Sequence, residues 1–150
     1  MIMTDLKNGI IDLGELIIDR NTTKQEMESV YKDRLNPYLS NDTVITIKKI
    51  FCINNAEFLG MFFFKDDLLE SITLWPRIEI DEETSSNREK RQAAERAFAD
   101  KWLFENLGTP TKKDEGITLY QFEWGGVYAI SLFRPNEQYN GGFVGIRFDR

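Results

Sequence analysis

The chain of 150 residues contains no histidine and one cysteine, Cys52. Without imidazole there is no Ser-His-Asp or Cys-His arrangement, no imidazole general base and no histidine-held metal. One thiol makes no intrachain disulfide, so nothing calls for an oxidising compartment. Between Phe51 and Ile53 it reads as an inert, buried thiol. Long apolar runs are missing too: no stretch approaches the ~18 residues of a membrane span. The opening MIMTDLKNGIIDLGELIIDR places Asp5 and Asp12 where a secretory leader would be apolar. The expectation is a cytoplasmic protein with no membrane association.

Positive charge is in deficit, 19 Lys and Arg against 25 Asp and Glu, for a net −6. A phosphate backbone is repelled by such a chain, so nucleic acid is not an expected partner, whereas a basic protein surface is. Phosphate-binding motifs are absent: the glycines of GGVYAIS and NGGFVGIRF sit in turns and strands and open no helix. The adjacent carboxylates Asp81, Glu82 and Glu83 lack the alternating spacing of a calcium loop and read as a solvated segment. Asp66 and Glu70 flank a predicted turn, where charge serves solubility rather than acid–base work. No catalytic residue, cofactor or metal is assigned, and the chain is not expected to be an enzyme.

What is present is a soluble composition, 41% hydrophobic and 29% charged, rich in aromatics: eleven Phe, five Tyr and three Trp. The length suits one domain spanning residues 1–150. GIIDLGELII (9–18) reads as an opening strand with an irregularity at Gly14. Thr22 or Thr23 caps a helix, with Gln25 or Glu26 completing a capping box; Met27, Val30, Tyr31 and Leu35 form its apolar stripe, and Pro37 ends it. Strands follow at 43–53, 56–64 and 68–75, joined by Asn54-Asn55 and Lys65-Asp66-Asp67. The polar segment 76–87 leads to a long helix over 87–107, stopped by Gly108 with Pro110 beyond. Its charges, from Arg88 to Glu105, are mixed rather than one-sided, unlike a nucleic-acid stripe. Strands at 117–124, 127–134 and 143–148 close the chain, with Gly125-Gly126 as the expected hairpin turn.

The pattern is β-α-βββ-α-βββ, with tandem helix-plus-meander halves at about 9–76 and 87–148. It predicts an α+β, two-layer domain: two helices on one face of a mainly antiparallel sheet of six or seven strands. Pattern leaves one sheet or two smaller ones open. Alternation assigns Tyr120, Phe122, Trp124, Tyr128, Ile130, Leu132, Val144, Ile146 and Phe148 to the core face. On the long helix, Phe104 falls nearly opposite Trp102: it is either buried by the N-terminal strand, the favoured expectation, or an exposed anchor.

One strand breaks the rule of one wet face. FLGMFFF (58–64) has no polar side chain. With Phe58, Phe62 and Phe64 in the core, Leu59, Met61 and Phe63 point outward beside Trp75, and Phe133, Phe143 and Arg147 lie alongside. Monomers seldom leave such a band in water. Three occupants compete: another protein, a second copy of the chain, or the chain's own N-terminal strand or a loop.

ENLGTP followed by YQFEWGGVYAISLF adds a comparison. A helix ending Leu107-Gly108-Thr109-Pro110, then an aromatic hairpin, resembles the helix-plus-meander unit of the β-lactamase-inhibitor-protein and small outer-membrane assembly lipoprotein (SmpA/OmlA) families, and is similar to small bacterial immunity proteins. The likeness covers about residues 87–134, with an echo at 22–76. It implies an open sheet face that grips a protein partner. The chain departs from those families in having no lipid-anchoring cysteine after a signal segment and none of the inhibitor's disulfides. The expected function is a non-catalytic protein-binding module, an acidic immunity- or antitoxin-type inhibitor occluding a basic partner surface, with Leu59, Met61, Phe63, Trp75, Phe133, Phe143 and Arg147 as contacts. A small-ligand carrier or enzyme with a pocket between helices and sheet is one alternative; a self-associating structural protein is the other.

Overall fold

Strict alternation organises the molecule around one strand, β5 (Ala56–Lys65): each even-numbered residue is buried and each odd-numbered one is open or half-open. The computed structural model describes residues 4–132 and 141–150. Around β5 runs a mainly antiparallel sheet of eight strands. They are β3 (Val44–Thr46), β4 (Phe51–Ile53), β5, β6 (Leu68–Pro76), β7 (Lys112–Lys113), β8 (Ile117–Phe122), β9 (Gly125–Leu132) and β10 (Gly141–Phe148), in the order β3-β5-β6-β10-β9-β8-β7 with β4 also on β5. The two meanders therefore share one sheet, joined where β10 pairs with β6.

The turns follow from the residues that make them. Asn54 and Asn55 take φ of 46° and 69°, and Asp66 and Asp67 take 52° and 64°. Two consecutive positive-φ residues match the twist of a tight hairpin, and Asn and Asp tolerate that conformation. Helix α1 (Lys24–Tyr31) starts at Thr23, whose hydroxyl accepts from the Glu26 N–H while the Glu26 side chain returns to the Thr23 N–H. A short helix, α2 (Glu82–Ser86), is capped by Asp81, which holds that carboxyl below the usual range. The long helix α3 (Arg88–Leu107) begins at Asn87 and ends at Gly108, as its stop signal predicts.

All the large helix-borne contacts fall on one side of the sheet. Phe58, Phe62, Ile72, Leu74, Val127, Ala129, Val144 and Ile146 are each 1% exposed or less. Trp102 of α3 meets Phe58 edge-on at 4.9 Å, and Tyr31 of α1 meets Phe51 at 5.8 Å. The N-terminal segment packs on the same side. Trp124 lies over Gly9, donates its indole N–H to the Lys7 carbonyl at 2.7 Å and touches Phe148. Leu6, Ile11, Leu13 and Ile18 join that core. This segment, α1 and α3 thus support one face and leave the other uncovered by any of them.

Several expectations need correction. Residues 9–18 add no strand to the main sheet; they form a separate hairpin, β1 (Ile11–Asp12) with β2 (Ile17–Ile18). The strand expected at 43–53 is divided, because residues 47–50 loop out against only Leu59 and Gly60 opposite them. That excursion carries Lys49 to Glu15 and over the Phe51 ring. Cys52 is exposed rather than buried, since it alternates with Phe51 and Ile53, which take the core side. Phe104 is 61% exposed, as the N-terminal segment packs elsewhere. Val30 is exposed as well.

The β8–β9 turn is Glu123-Trp124, not the glycine pair. Gly125 opens β9 opposite Phe148 at φ 152°, and a Cβ there would lie 1.9 Å from the Arg147 carbonyl oxygen, so no side chain fits. The register Tyr120↔Val127 puts Val127 and Ala129 in the core and turns Tyr128 and Ile130 outward. Small residues are needed there because α3 crosses close by. Gly142 makes the same allowance on β10, where a Cβ would fall 2.6 Å from the Arg96 backbone nitrogen.

Candidate functional site

The face opposite the helices is built by the odd members of β5 and their cross-strand neighbours. Side chains one pleat apart form rows across an antiparallel sheet. The first row is Leu59, Trp75, Phe143, Ile130 and Ile117. Trp75 and Phe143 are in ring contact at 6.1 Å. The second row is Thr46, Met61, Thr73, Gly145, Tyr128 and Leu119. The third is Val44, Phe63, Ser71, Arg147, Gly126 and Gln121.

Leu59 is 42% exposed; Met61, Phe63, Trp75 and Phe143 are half-buried. Arg147 is exposed and pairs with Asp149 at 3.7 Å. The Tyr128 ring lies flat on Gly145, filling the space that a side chain there would take. Burial raises the Tyr128 phenol, with Arg147 nearby partly offsetting the effect. Ser71 and Thr73 place two hydroxyls inside the band rather than around it.

Of the residues expected at this face, Leu59, Met61, Phe63, Trp75, Phe143 and Arg147 share it; Phe133 lies outside the described residues. Val44, Ile117, Leu119, Tyr128 and Ile130 belong to it as well. Leu119 follows from the alternation of its strand, since it neighbours the core residue Tyr120. Tyr128 and Ile130 were missed because their size suggests burial, and only the cross-strand register reveals otherwise.

Charge on this face is sparse. Among the paired strand positions of the described residues Glu57 is the one carboxylate. Among the described residues Lys65, Arg77, Lys112 and Arg147 are cations on this side; the Arg77 N–H donates to the Glu57 carbonyl opposite it, and the last two lie near Asp114 and Asp149.

Concave sites offer less. One cleft, about 640 Å³, is at the sheet margin between the N-terminal hairpin, the β4–β5 turn and the end of α3. It is lined by polar groups including Asp12, Asn54, Glu105 and Asn106, with no aromatic wall. Asn54 and Asn106 are already bonded to each other at 2.7 Å. On α3, burial raises the Glu95 carboxyl, while Arg91 and the Gly142 N–H act against it. Arg96 is fully engaged beneath the helix, by Asp100, Thr118, Ser131 and the carbonyls of Asp114 and Glu115. Among the described residues no cluster of three or more Cys, Asp or Glu side chains is arranged to hold a metal ion. Among the described residues no helix is long and apolar enough to cross a membrane.

Compared with protein-family models, with curated proteins and with solved structures, the chain matches none.

Proposed function

We propose that the chain is a non-catalytic protein-docking module whose contact surface is the open face of the sheet. The observation that carries this reading is the largely apolar face, with Trp75 and Phe143 in ring contact in its first row and, among the described residues, no helix over it. Aromatic and Arg side chains at the centre of a patch are the usual anchors of protein interfaces. The narrower reading, an immunity-type inhibitor occluding a basic site, draws on the −6 charge. One paired carboxylate gives this face little electrostatic grip on a basic surface, so apolar contact is the better-supported driving force. A carrier or enzyme draws support from an enclosed apolar pocket, and the polar, marginal cleft supplies none.

The test is capture by the immobilised protein, comparing wild type with a folded Phe63→Glu/Trp75→Glu variant. The reading expects the wild type to retain a protein, either a second copy or another chain, that the variant releases. Equal retention by both overturns it.

A further inference from the structure

Along β5 the open-face side chains are Glu57, Leu59, Met61, Phe63 and Lys65: an acid, three apolar residues and a base. Turned end for end, the stripe is complementary to itself, with Glu57 opposite Lys65 and Met61 opposite Met61. The same half-turn exchanges the two outer rows. Trp75 then faces Ser71 and Ile130 faces Gly126, so large side chains meet small ones. Phe143 faces Arg147, which sets a guanidinium over a ring.

We propose that a second copy of this chain occupies the open face, in a twofold dimer whose axis crosses the strands through Met61, Thr73 and Gly145. The inference rests on the reading of this face as a docking surface and names its occupant. A twofold contact requires a patch to be its own complement. The β5 charges and the Trp75–Ser71, Ile130–Gly126 and Phe143–Arg147 pairs meet that requirement, while Leu59 meets Phe63 and Tyr128 meets its own copy, large side chain against large. Size is adequate: six strands about 4.8 Å apart and three rows about 6.8 Å apart cover roughly 600 Å² per copy, about 1,200 Å² in total, at the lower bound of stable interfaces. Two twisted sheets face each other at about 30°, so the matching is tightest at β6 and β10 near the axis. The long side chains of Glu57 and Lys65 span the offset further out.

Sedimentation equilibrium on the full chain, from about 1 to 100 µM, tests this directly. The expected mass is twice 17.5 kDa. Glu57 and Lys65 are exposed, so Glu57→Lys and Lys65→Glu leave the fold intact, as circular dichroism can verify. Each reversal sets like charges together at two symmetry-related places and is expected to weaken the dimer about tenfold or more. The double exchange restores opposite pairs and is expected to return Kd to within about threefold of wild type. A wild type that is monomeric at 100 µM, or a double exchange as weak as the single reversals, overturns the dimer. A monomeric wild type that captures another protein through Phe63 and Trp75 overturns the dimer and leaves the docking surface standing. A dimer unchanged by these substitutions and by Phe63→Glu/Trp75→Glu overturns both.

Discussion

Arg96 offers the sharpest test of how the helix layer is fastened to the sheet. Its side chain is 11% exposed. The Nε–H donates to both Asp100 oxygens at 3.2 Å, Nη1 to the Glu115 carbonyl at 3.1 Å and Ser131 Oγ at 3.3 Å, and Nη2 to the Asp114 carbonyl at 3.3 Å and Thr118 Oγ1 at 2.9 Å. One guanidinium therefore links α3 to the β7–β8 turn, β8 and β9. Arg96→Met keeps most of the apolar stem and leaves the Asp100 carboxylate without its cation. Removing one partner of a buried ion pair costs about 3–5 kcal/mol. Asp100 is 21% exposed, so water relieves part of the loss and the low end, about 3 kcal/mol, applies. For a chain of this length that corresponds to a fall in Tm of roughly 6–12 °C. Urea unfolding followed by tryptophan fluorescence, with calorimetry for Tm, measures it. Arg96→Met/Asp100→Leu removes the stranded carboxylate and is expected to recover about 1–2 kcal/mol. A loss below about 1 kcal/mol for Arg96→Met, or a double variant that simply adds the two single losses, refutes the reasoning.

Gly142→Val drives a side chain into the α3 backbone, where a Cβ already lies 2.6 Å from Arg96 N and 3.1 Å from the Gln92 carbonyl oxygen. A loss of about 2–3 kcal/mol in urea unfolding is expected, and a wild-type midpoint would show that the helix yields freely. Glu95→Gln reports on pH: burial raises the folded carboxyl above its unfolded value, so the group's contribution is complete below about pH 4.3 and is lost as pH rises through the folded value. Glutamine should therefore raise the urea midpoint at pH 7 and leave it unchanged at pH 4; the same change at both would contradict the assignment.

Local chemistry was enough to read the two turns of the first meander. Asn54-Asn55 and Asp66-Asp67 announce their own turns, and the Thr23–Glu26 capping box and the Gly108 stop are written within a few residues of the structure they specify. The outward set on β5 was also legible, because Glu57 and Lys65 fix the parity of the apolar run between them. Errors arose where distant residues decide. Tyr128 and Ile130 outrank Val127 and Ala129 in size, yet the close crossing of α3 reserves the core face for the smaller pair. Trp124 sits in the turn just before the glycine pair that looks like the turn itself, and its anchors, Gly9 and Lys7, lie far away in sequence. Residues 47–50 leave the sheet to pair with the segment after α1, where the Lys48 N–H donates to the Arg34 carbonyl and Ile47 is buried, and Lys49 meets Glu15, partners that no local window contains.

The position of β10 between β6 and β9 bears on how the protein is made. β9 directly precedes it, but β6 (Leu68–Pro76) is synthesised long before it, so the β6 edge stays unpaired until the C-terminal strand emerges and slots in. Contacts between such remote segments carry a large loop-closure cost and slow the search for the native state. Vectorial synthesis therefore leaves the first half-sheet waiting, in the form most prone to pair with the wrong strand.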